Sequence, residues 1–102
     1  MRKIESQMLA AIKAKQSKTI DNTRIEYLPA IDTQTHARIE YTKIYLHGHH
    51  IASYAYRLDR FDYNPMTLAS WPTRTTKSRL RALGFNVYTK KGQTFVDSKL
   101  IA

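Results

Sequence analysis

The chain contains no cysteine, only three glycines and only three prolines among its 102 residues. The absence of cysteine excludes a disulfide scaffold, a thiolate zinc finger and a cysteine nucleophile. So few glycines leave no glycine-rich loop that could cradle a phosphate group. No apolar run approaches the roughly 18 residues that a membrane span needs, and the first residues lack the apolar centre of a signal peptide. We therefore expect one cytoplasmic domain over residues 1–102, with no membrane partner.

Acidic residues are also scarce, at eight against 17 lysines and arginines, which gives a net charge of +9. The excess lies at the two ends of the chain. Residues 1–18 carry five bases and one acid, residues 71–102 carry seven bases and one acid, and the segment between them is almost neutral. Such an excess repels itself in the folded state and attracts polyanions, of which nucleic acid is the commonest inside cells. The charge pattern therefore predicts a nucleic-acid partner.

The few carboxylates give little support to catalysis. Apart from Asp59 and Asp62, which share a predicted loop, they are isolated in the sequence, so no general acid–base pair is evident. Histidines at His47, His49 and His50 are close enough in sequence to suggest zinc ligands. However, adjacent histidines point to opposite faces of an extended strand, which favours polar turn residues instead. We expect no enzyme activity, no metal and no cofactor.

The residue pattern predicts an α+β fold in which two helices pack on an antiparallel sheet, in the order α-β-β-β-α-β-β. Apolar residues at helical spacing predict a first helix over about residues 2–16. β-branched and aromatic residues then predict three strands between residues 23 and 58, the first of which ends at Pro29. A change in the parity of the apolar positions predicts that the second strand bulges, or changes its buried face, near Thr42.

The C-terminal third of the chain has clearer boundaries. Residues 66–71 are consistent with either a short strand or one helical turn. A second helix follows this segment, with Thr73 or Thr75 as its cap and Gly84 just beyond its end. Strand-forming residues on both sides of Lys90-Lys91-Gly92 predict a terminal β-hairpin with a basic tip.

The second helix has a basic face with no acid nearby in sequence to balance it. Thr76, Leu80 and Leu83 share the side that must be buried. The opposite side carries four residues at i, i+3, i+4 and i+7, namely Arg74, Lys77, Ser78 and Arg81. Like charges at this spacing repel each other, and phosphate ligands would relieve the repulsion. A solubility face paired with acids elsewhere, such as Asp59 or Asp62, is the alternative interpretation.

Aromatic residues on the strands favour unpaired bases as the ligand. The chain has seven tyrosines, and tyrosines exposed on a sheet beside arginines form a stacking surface for single-stranded nucleic acid. The alternative is that these tyrosines are simply good strand formers. The predicted nucleic-acid-binding residues come from the basic helix, the hairpin and the strands: Arg74, Lys77, Arg79, Arg81, Tyr88, Lys90, Lys91, Tyr54, Tyr56 and Arg57.

The block of residues 71–84 resembles a segment of small bacteriophage proteins, which carry a tryptophan, a threonine-rich turn and then Arg-Leu-x-Ala-Leu-Gly. Here these features are Trp71, the threonines at 73, 75 and 76, and Arg79-Leu80-Arg81-Ala82-Leu83-Gly84. The segments at residues 2–5 and 44–48 are similar as well, so the resemblance spans most of the chain. It implies a phage early protein that is not an enzyme. The chain also looks like the single-stranded-DNA-binding transcription regulators of podophages, called Drc, which implies host or phage RNA polymerase as a partner.

These observations favour a single-stranded-DNA-binding protein that acts in phage transcription or replication, in the cytoplasm of the host cell. A homo-oligomer is expected, because so small a domain buries a limited core and its strands leave an edge to pair. Two alternatives remain open. A helix followed by a basic hairpin is also the end of a winged-helix domain that binds duplex DNA. The basic face could instead bind an acidic host protein.

Overall fold

The structure, a computed structural model, describes residues 2–101 and contains three helices and eight strands. In chain order the elements are α1 (Lys3–Lys13), β1 (Lys18–Ile20), β2 (Thr23–Ile31), β3 (Arg38–Leu46), β4 (His49–Ala55), β5 (Arg60–Tyr63), α2 (Pro65–Ser70), α3 (Arg74–Ala82), β6 (Val87–Lys90), β7 (Gln93–Val96) and β8 (Lys99–Leu100). The predicted α+β class is confirmed. Three short strands, β1, β5 and β8, were not predicted, and the ambiguous segment before α3 forms helix α2. Within residues 2–101, no helix combines the length and the apolar character needed to cross a membrane.

The first five strands form one antiparallel sheet in the order β1-β2-β3-β4-β5. The register pairs Ile25 with Ile44, and Ile44 with Ala52, so these three side chains lie on the same face. The next pair along joins Tyr45 to His50, which leaves Ile51 without a partner on β3. The β-bulge therefore lies in β4, at Ile51.

The prediction that β3 itself bulges or changes its buried face near Thr42 is wrong, because the extra residue belongs to β4, opposite Ile44 and Tyr45. Glu40, Thr42, Ile44 and Leu46 are all buried, so β3 keeps one buried face throughout. The apolar residues of the other parity face the opposite side of the sheet, where Tyr41 is 42% exposed. The change in apolar pattern thus marks a strand with apolar side chains on both faces, and no change of face is needed.

The two faces of this sheet have different surroundings. The inner face packs against the helices, and the core joins residues from both layers: Met8, Ile12, Ile25, Ile44, Ala52, Leu68 and Leu80. The other face, which we term the open face, carries the side chains of the alternate residues: Arg24, Glu26, Leu28, Tyr41, Lys43, Tyr45, His50, Ser53, Arg60 and Asp62. All of these are exposed or only half-buried. The helices, and with them α3, therefore lie on one side of the sheet.

Pro29 lies within β2 and does not end it. Strand β1 pairs only with Thr23, Arg24 and Ile25 of β2, so the rest of that edge has no neighbouring strand. A residue without a backbone N–H is tolerated at such an edge. The predicted end of the first strand at Pro29 is therefore wrong.

The C-terminal segment has well-defined ends. The Asn64 side chain caps α2 by accepting the backbone N–H of Met66 at 3.1 Å. Of the two predicted caps of α3, Thr73 is the one observed, and its hydroxyl accepts the N–H of Thr76 at 3.1 Å. Strands β6, β7 and β8 then form a three-stranded antiparallel sheet. The β6–β7 turn has positive φ at Lys91 (51°) and Gly92 (75°), the signature of a type I′ hairpin turn.

Candidate nucleic-acid interface

Helix α3 presents three of its four basic residues, Arg74, Lys77 and Arg81, away from the core. Leu80 is fully buried and Thr76 is 3% exposed, whereas Arg74 and Arg81 are exposed. Lys77 is half-buried on the flank that faces the terminal hairpin. The predicted division of α3 into a buried side and a basic side is confirmed for these residues.

Two side chains of α3 attach the helix to the hairpin. The Lys77 ammonium donates to the hydroxyl of Thr89, and the Arg81 Nε donates to the carbonyl of Val87 at 2.6 Å. The Tyr88 ring stacks on Phe95, with 5.2 Å between ring centroids. The hairpin is therefore held beside α3, and its exposed tip adds two lysines. We term the resulting set the basic surface: Arg74, Lys77, Arg81, Lys90 and Lys91.

Arg79 was predicted to belong to this surface, but it does not. It is 1% exposed. Its Nη1 donates to the Glu5 carboxylate at 2.9 Å and its Nε donates to the Thr23 hydroxyl at 3.1 Å. The guanidinium is thus buried and hydrogen-bonded inside the protein, where phosphate cannot reach it. The prediction that Arg79 binds nucleic acid is therefore wrong. The signal was present in the sequence, because Arg79 lies three residues after Thr76 on the buried side of the helix.

Glu5 brings the start of α1 against α3, a contact that no local pattern in the sequence predicts. One carboxylate oxygen accepts from Arg79 and from the Ser78 hydroxyl at 2.6 Å, and the other accepts the backbone N–H of Arg2 at 3.3 Å. Burial raises the pKa of this carboxyl, but the hydrogen bonds from Ser78 and Arg79 outweigh burial, so the pKa lies below its usual value. Arg2 and Lys3 are exposed at this end of α1. The basic N-terminal segment is therefore adjacent to the basic C-terminal one.

The tyrosines predicted to stack on bases lie elsewhere. Tyr54 is paired with Thr42, so it faces the inner side of the sheet under α1, and Tyr56 packs edge-to-face against it at 4.8 Å. The Tyr54 hydroxyl donates to Asp59, which raises the pKa of that tyrosine. The Tyr56 hydroxyl donates to the backbone carbonyl of Ile12. Both rings are half-buried and held by structural contacts, so the structure does not join them to the basic surface, and their stacking role stays a prediction.

The last two predicted binding residues, Arg57 and Tyr88, lie at different distances from the basic surface. Arg57 is exposed after β4 and lines a groove with Tyr41 and Ala55, so the structure does not join it to the basic surface. Tyr88 lies on the hairpin beside the basic surface, but its ring is half-buried against Phe95.

The histidines do not form a metal centre in the part of the chain that is described. No group of three or more metal-ligating side chains comes together among residues 2–101. His50 lies within 2.7 Å of the Ser53 hydroxyl and next to Tyr45, and burial lowers the pKa of its imidazole. His49 stacks on the indole of Trp71, with 4.9 Å between ring centroids.

Comparison with known proteins gives one informative result. Neither the curated proteins nor the solved structures give a match. The family model described as Kyanoviridae Gp96 protein matches residues 1–102. This match confirms the expectation of a phage protein, but it does not support the narrower resemblance to the podophage regulators. The chain therefore belongs to the Kyanoviridae Gp96 protein family.

Proposed function

We propose that this phage protein binds nucleic acid through the basic surface, and that it has no enzymatic role. The observation that carries the proposal is the attachment of the basic hairpin to the basic helix by Lys77 and Arg81. These contacts hold five cations on adjacent elements, at positions that can follow a phosphate backbone. Single-stranded DNA remains the favoured ligand, and phage transcription or replication is the proposed process. RNA polymerase is the proposed protein partner, which co-purification can test.

The electrostatics of α3 support a polyanionic ligand. The carboxylate of Glu5 contacts this helix, but it accepts hydrogen bonds from Arg79 and Ser78 and does not pair with the exposed cations. Within residues 2–101, no ion pair involves Arg74, Lys77 or Arg81. The repulsion between these cations is therefore not relieved by a carboxylate of the described chain, and phosphate oxygens would relieve it.

The test is a binding assay with labelled single-stranded DNA, duplex DNA and RNA over a salt series. If five side chains contact phosphates, log K should fall against log salt with a slope of roughly −3 to −4 for single strands. The variant R74A/K77A/R81A should bind more weakly and flatten the slope by about 2. Lys77 and Arg81 also donate hydrogen bonds to the hairpin, so loss of either bond should lower the free energy of unfolding by about 0.5–1.5 kcal/mol. Circular dichroism must therefore confirm that the variant is folded.

The matched control is R24A/K43A/R60A, which removes the same number of cations from the open face. It should leave the affinity and the salt slope close to those of the wild type. If both triple variants bind equally well, or if wild-type binding does not respond to salt, the proposal is wrong. Salt-insensitive capture of an acidic host protein would then favour a protein partner.

Helix α2 favours duplex DNA as a second candidate ligand. It supplies a helix directly before α3, and the order helix, turn, helix and basic hairpin is that of a winged-helix domain. Against this, α2 has only six residues, and five strands separate it from α1. Tighter binding to duplex DNA than to single strands in the same assay would decide for this candidate.

A further inference from the structure

Trp71 is exposed beside the basic surface and lines a cavity. It is the only tryptophan of the chain and retains 52% exposure, although His49 stacks against its ring. It lies three residues before Arg74, so their Cα atoms are no more than about 11 Å apart. A nucleotide whose phosphate contacts Arg74 can therefore bring its base to the indole.

The cavity next to Trp71 has the size and lining of a site for one planar ring. Its volume is about 290 Å³, just below the usual range for sites that hold a whole small molecule. Leu46 and Ile51 of the sheet contribute apolar surface to its lining, and Trp71 and His49 contribute aromatic surface. Because His49 already stacks on one face of the indole, a base would stack on the other face. An apolar, aromatic-walled cavity of this size suits a nucleobase better than it suits a charged group.

The cavity also has a polar group that can bond to the edge of a base. Thr73 and Thr76 line it, and their hydroxyls lie 2.9 Å apart. Two hydroxyls carry two protons, and the bond between them uses one. The other proton can be donated to a carbonyl oxygen or a ring nitrogen of the base.

We propose that Trp71 and this cavity form a site for one unpaired nucleobase of the strand bound at the basic surface. The inference rests on the proposed function and adds to it, because a base can reach the indole only where it is unpaired or turned out of a duplex. It also places a stacking residue directly before α3 and next to the basic surface, where Tyr54 and Tyr56 do not lie.

The single tryptophan makes the test direct. Tryptophan fluorescence is followed while the protein is titrated with oligothymidylate, and then with an abasic oligonucleotide of the same length. We expect quenching by oligothymidylate and little quenching by the abasic strand, which carries the same phosphates but no bases. Equal quenching by both strands would overturn the site, because the indole would then respond to phosphate alone.

Substitutions provide an independent readout. Stacking of one base on an aromatic side chain predicts that Trp71→Ala weakens binding of single strands by about 5- to 150-fold. Trp71→Phe, which retains a ring, should stay within about threefold of the wild type. The matched control is Tyr41→Ala, which removes an exposed ring from the open face and should change little.

Failure of this site and failure of the proposed function give different results. If the wild type binds single strands with a normal salt slope, but Trp71→Ala binds equally well and no quenching occurs, the base site is wrong and the basic surface stands. If the wild type binds no nucleic acid at any salt concentration, the proposed function is wrong and the base site falls with it.

Discussion

The buried ion pair of Glu5 and Arg79 joins three parts of the chain. Arg79 belongs to α3, Glu5 to α1, and the third partner, Thr23, begins β2. Both charged side chains are at least 95% buried. A buried pair contributes little compared with apolar packing of the same volume, but removal of one partner leaves an uncompensated charge in the interior.

We therefore predict that Glu5→Ala is strongly destabilising. The free energy of unfolding should fall by about 3–5 kcal/mol, because the Arg79 guanidinium stays buried without its counter-charge. Urea denaturation at neutral pH measures this change. The matched control is Glu26→Ala, whose partner Arg24 is 3.4 Å away at an exposed site and whose loss should cost no more than about 1 kcal/mol. Similar stabilities for the two variants would contradict the assigned role of the buried pair.

The same carboxylate predicts how stability depends on pH. The pKa of Glu5 is lowered in the folded protein from 4.5, so the unfolded chain binds its proton first as the pH falls. The stabilisation is complete above pH 4.5 and is lost as the pH falls through the lower folded pKa. As the pH falls through this range, the free energy of unfolding should decrease more steeply for the wild type than for Glu5→Ala. Parallel curves would show that other carboxylates account for the acid sensitivity.

At the scale of secondary structure, the terminal hairpin combines a strained turn with an exposed charge. Lys91 has a φ of 51°, in the left-handed region that non-glycine residues rarely occupy. Lys15 also has a positive φ, but it pairs with Glu40. Lys91 has no ion pair within the described residues, and asparagine is the preferred residue before glycine in this turn. A lysine at this position therefore stabilises the turn less than asparagine would, but it supplies an exposed positive charge for binding.

Replacement of that lysine should separate the two properties. We predict that Lys91→Asn raises the free energy of unfolding by up to about 1 kcal/mol, because asparagine tolerates positive φ better. The same variant should bind nucleic acid more weakly and flatten the salt slope by about 0.7, one phosphate contact. Thermal unfolding and the salt series measure the two effects. A variant that is both less stable and normal in binding would contradict this account of the turn.

The elements that could be predicted from the sequence are those with a strong local signal. The Thr73 cap and the division of α3 follow from spacing within one helix. Strands β1, β5 and β8 have two to four residues each, too few to show an alternating pattern. The face occupied by Tyr54 depends on its register with β3, and the bulge at Ile51, three residues earlier in β4, decides that register. No local pattern in the sequence shows the position of such a bulge.

At the scale of the whole molecule, charge is distributed unevenly between the two sides of the sheet. On the open face, Arg24 pairs with Glu26 and Arg60 pairs with Asp62, each at 3.4 Å, while Lys43 adds one further positive charge. The chain as a whole carries +9. The open face can therefore meet a second copy of itself with little repulsion, and a twofold contact would leave both basic surfaces on the outside.

We predict a homodimer that packs through the open face. Light scattering at micromolar concentration should give about twice the chain mass of 11.9 kDa. Tyr41→Lys places a charge at an exposed apolar position of this face and should return the mass to that of one chain. Met66→Lys, at a 79% exposed site on α2, is the control and should remain dimeric. A wild-type mass of one chain throughout the micromolar range would contradict the prediction.

The contact between Glu5 and Arg79 also bears on the order in which the chain can fold. The two residues are 74 positions apart, whereas β2, β3 and β4 pair with strands that follow them closely in sequence. During synthesis Glu5 leaves the ribosome long before Arg79, so the meander of strands can form while Glu5 still lacks its buried partner. Helix α1 can already pack against β1 and β2 and accept the Tyr56 hydroxyl at the Ile12 carbonyl, but the ion pair that fixes its first turn needs nearly the entire chain. A chain truncated before α3 loses the basic surface and, with it, the counter-charge of Glu5 at the opposite end of the sequence.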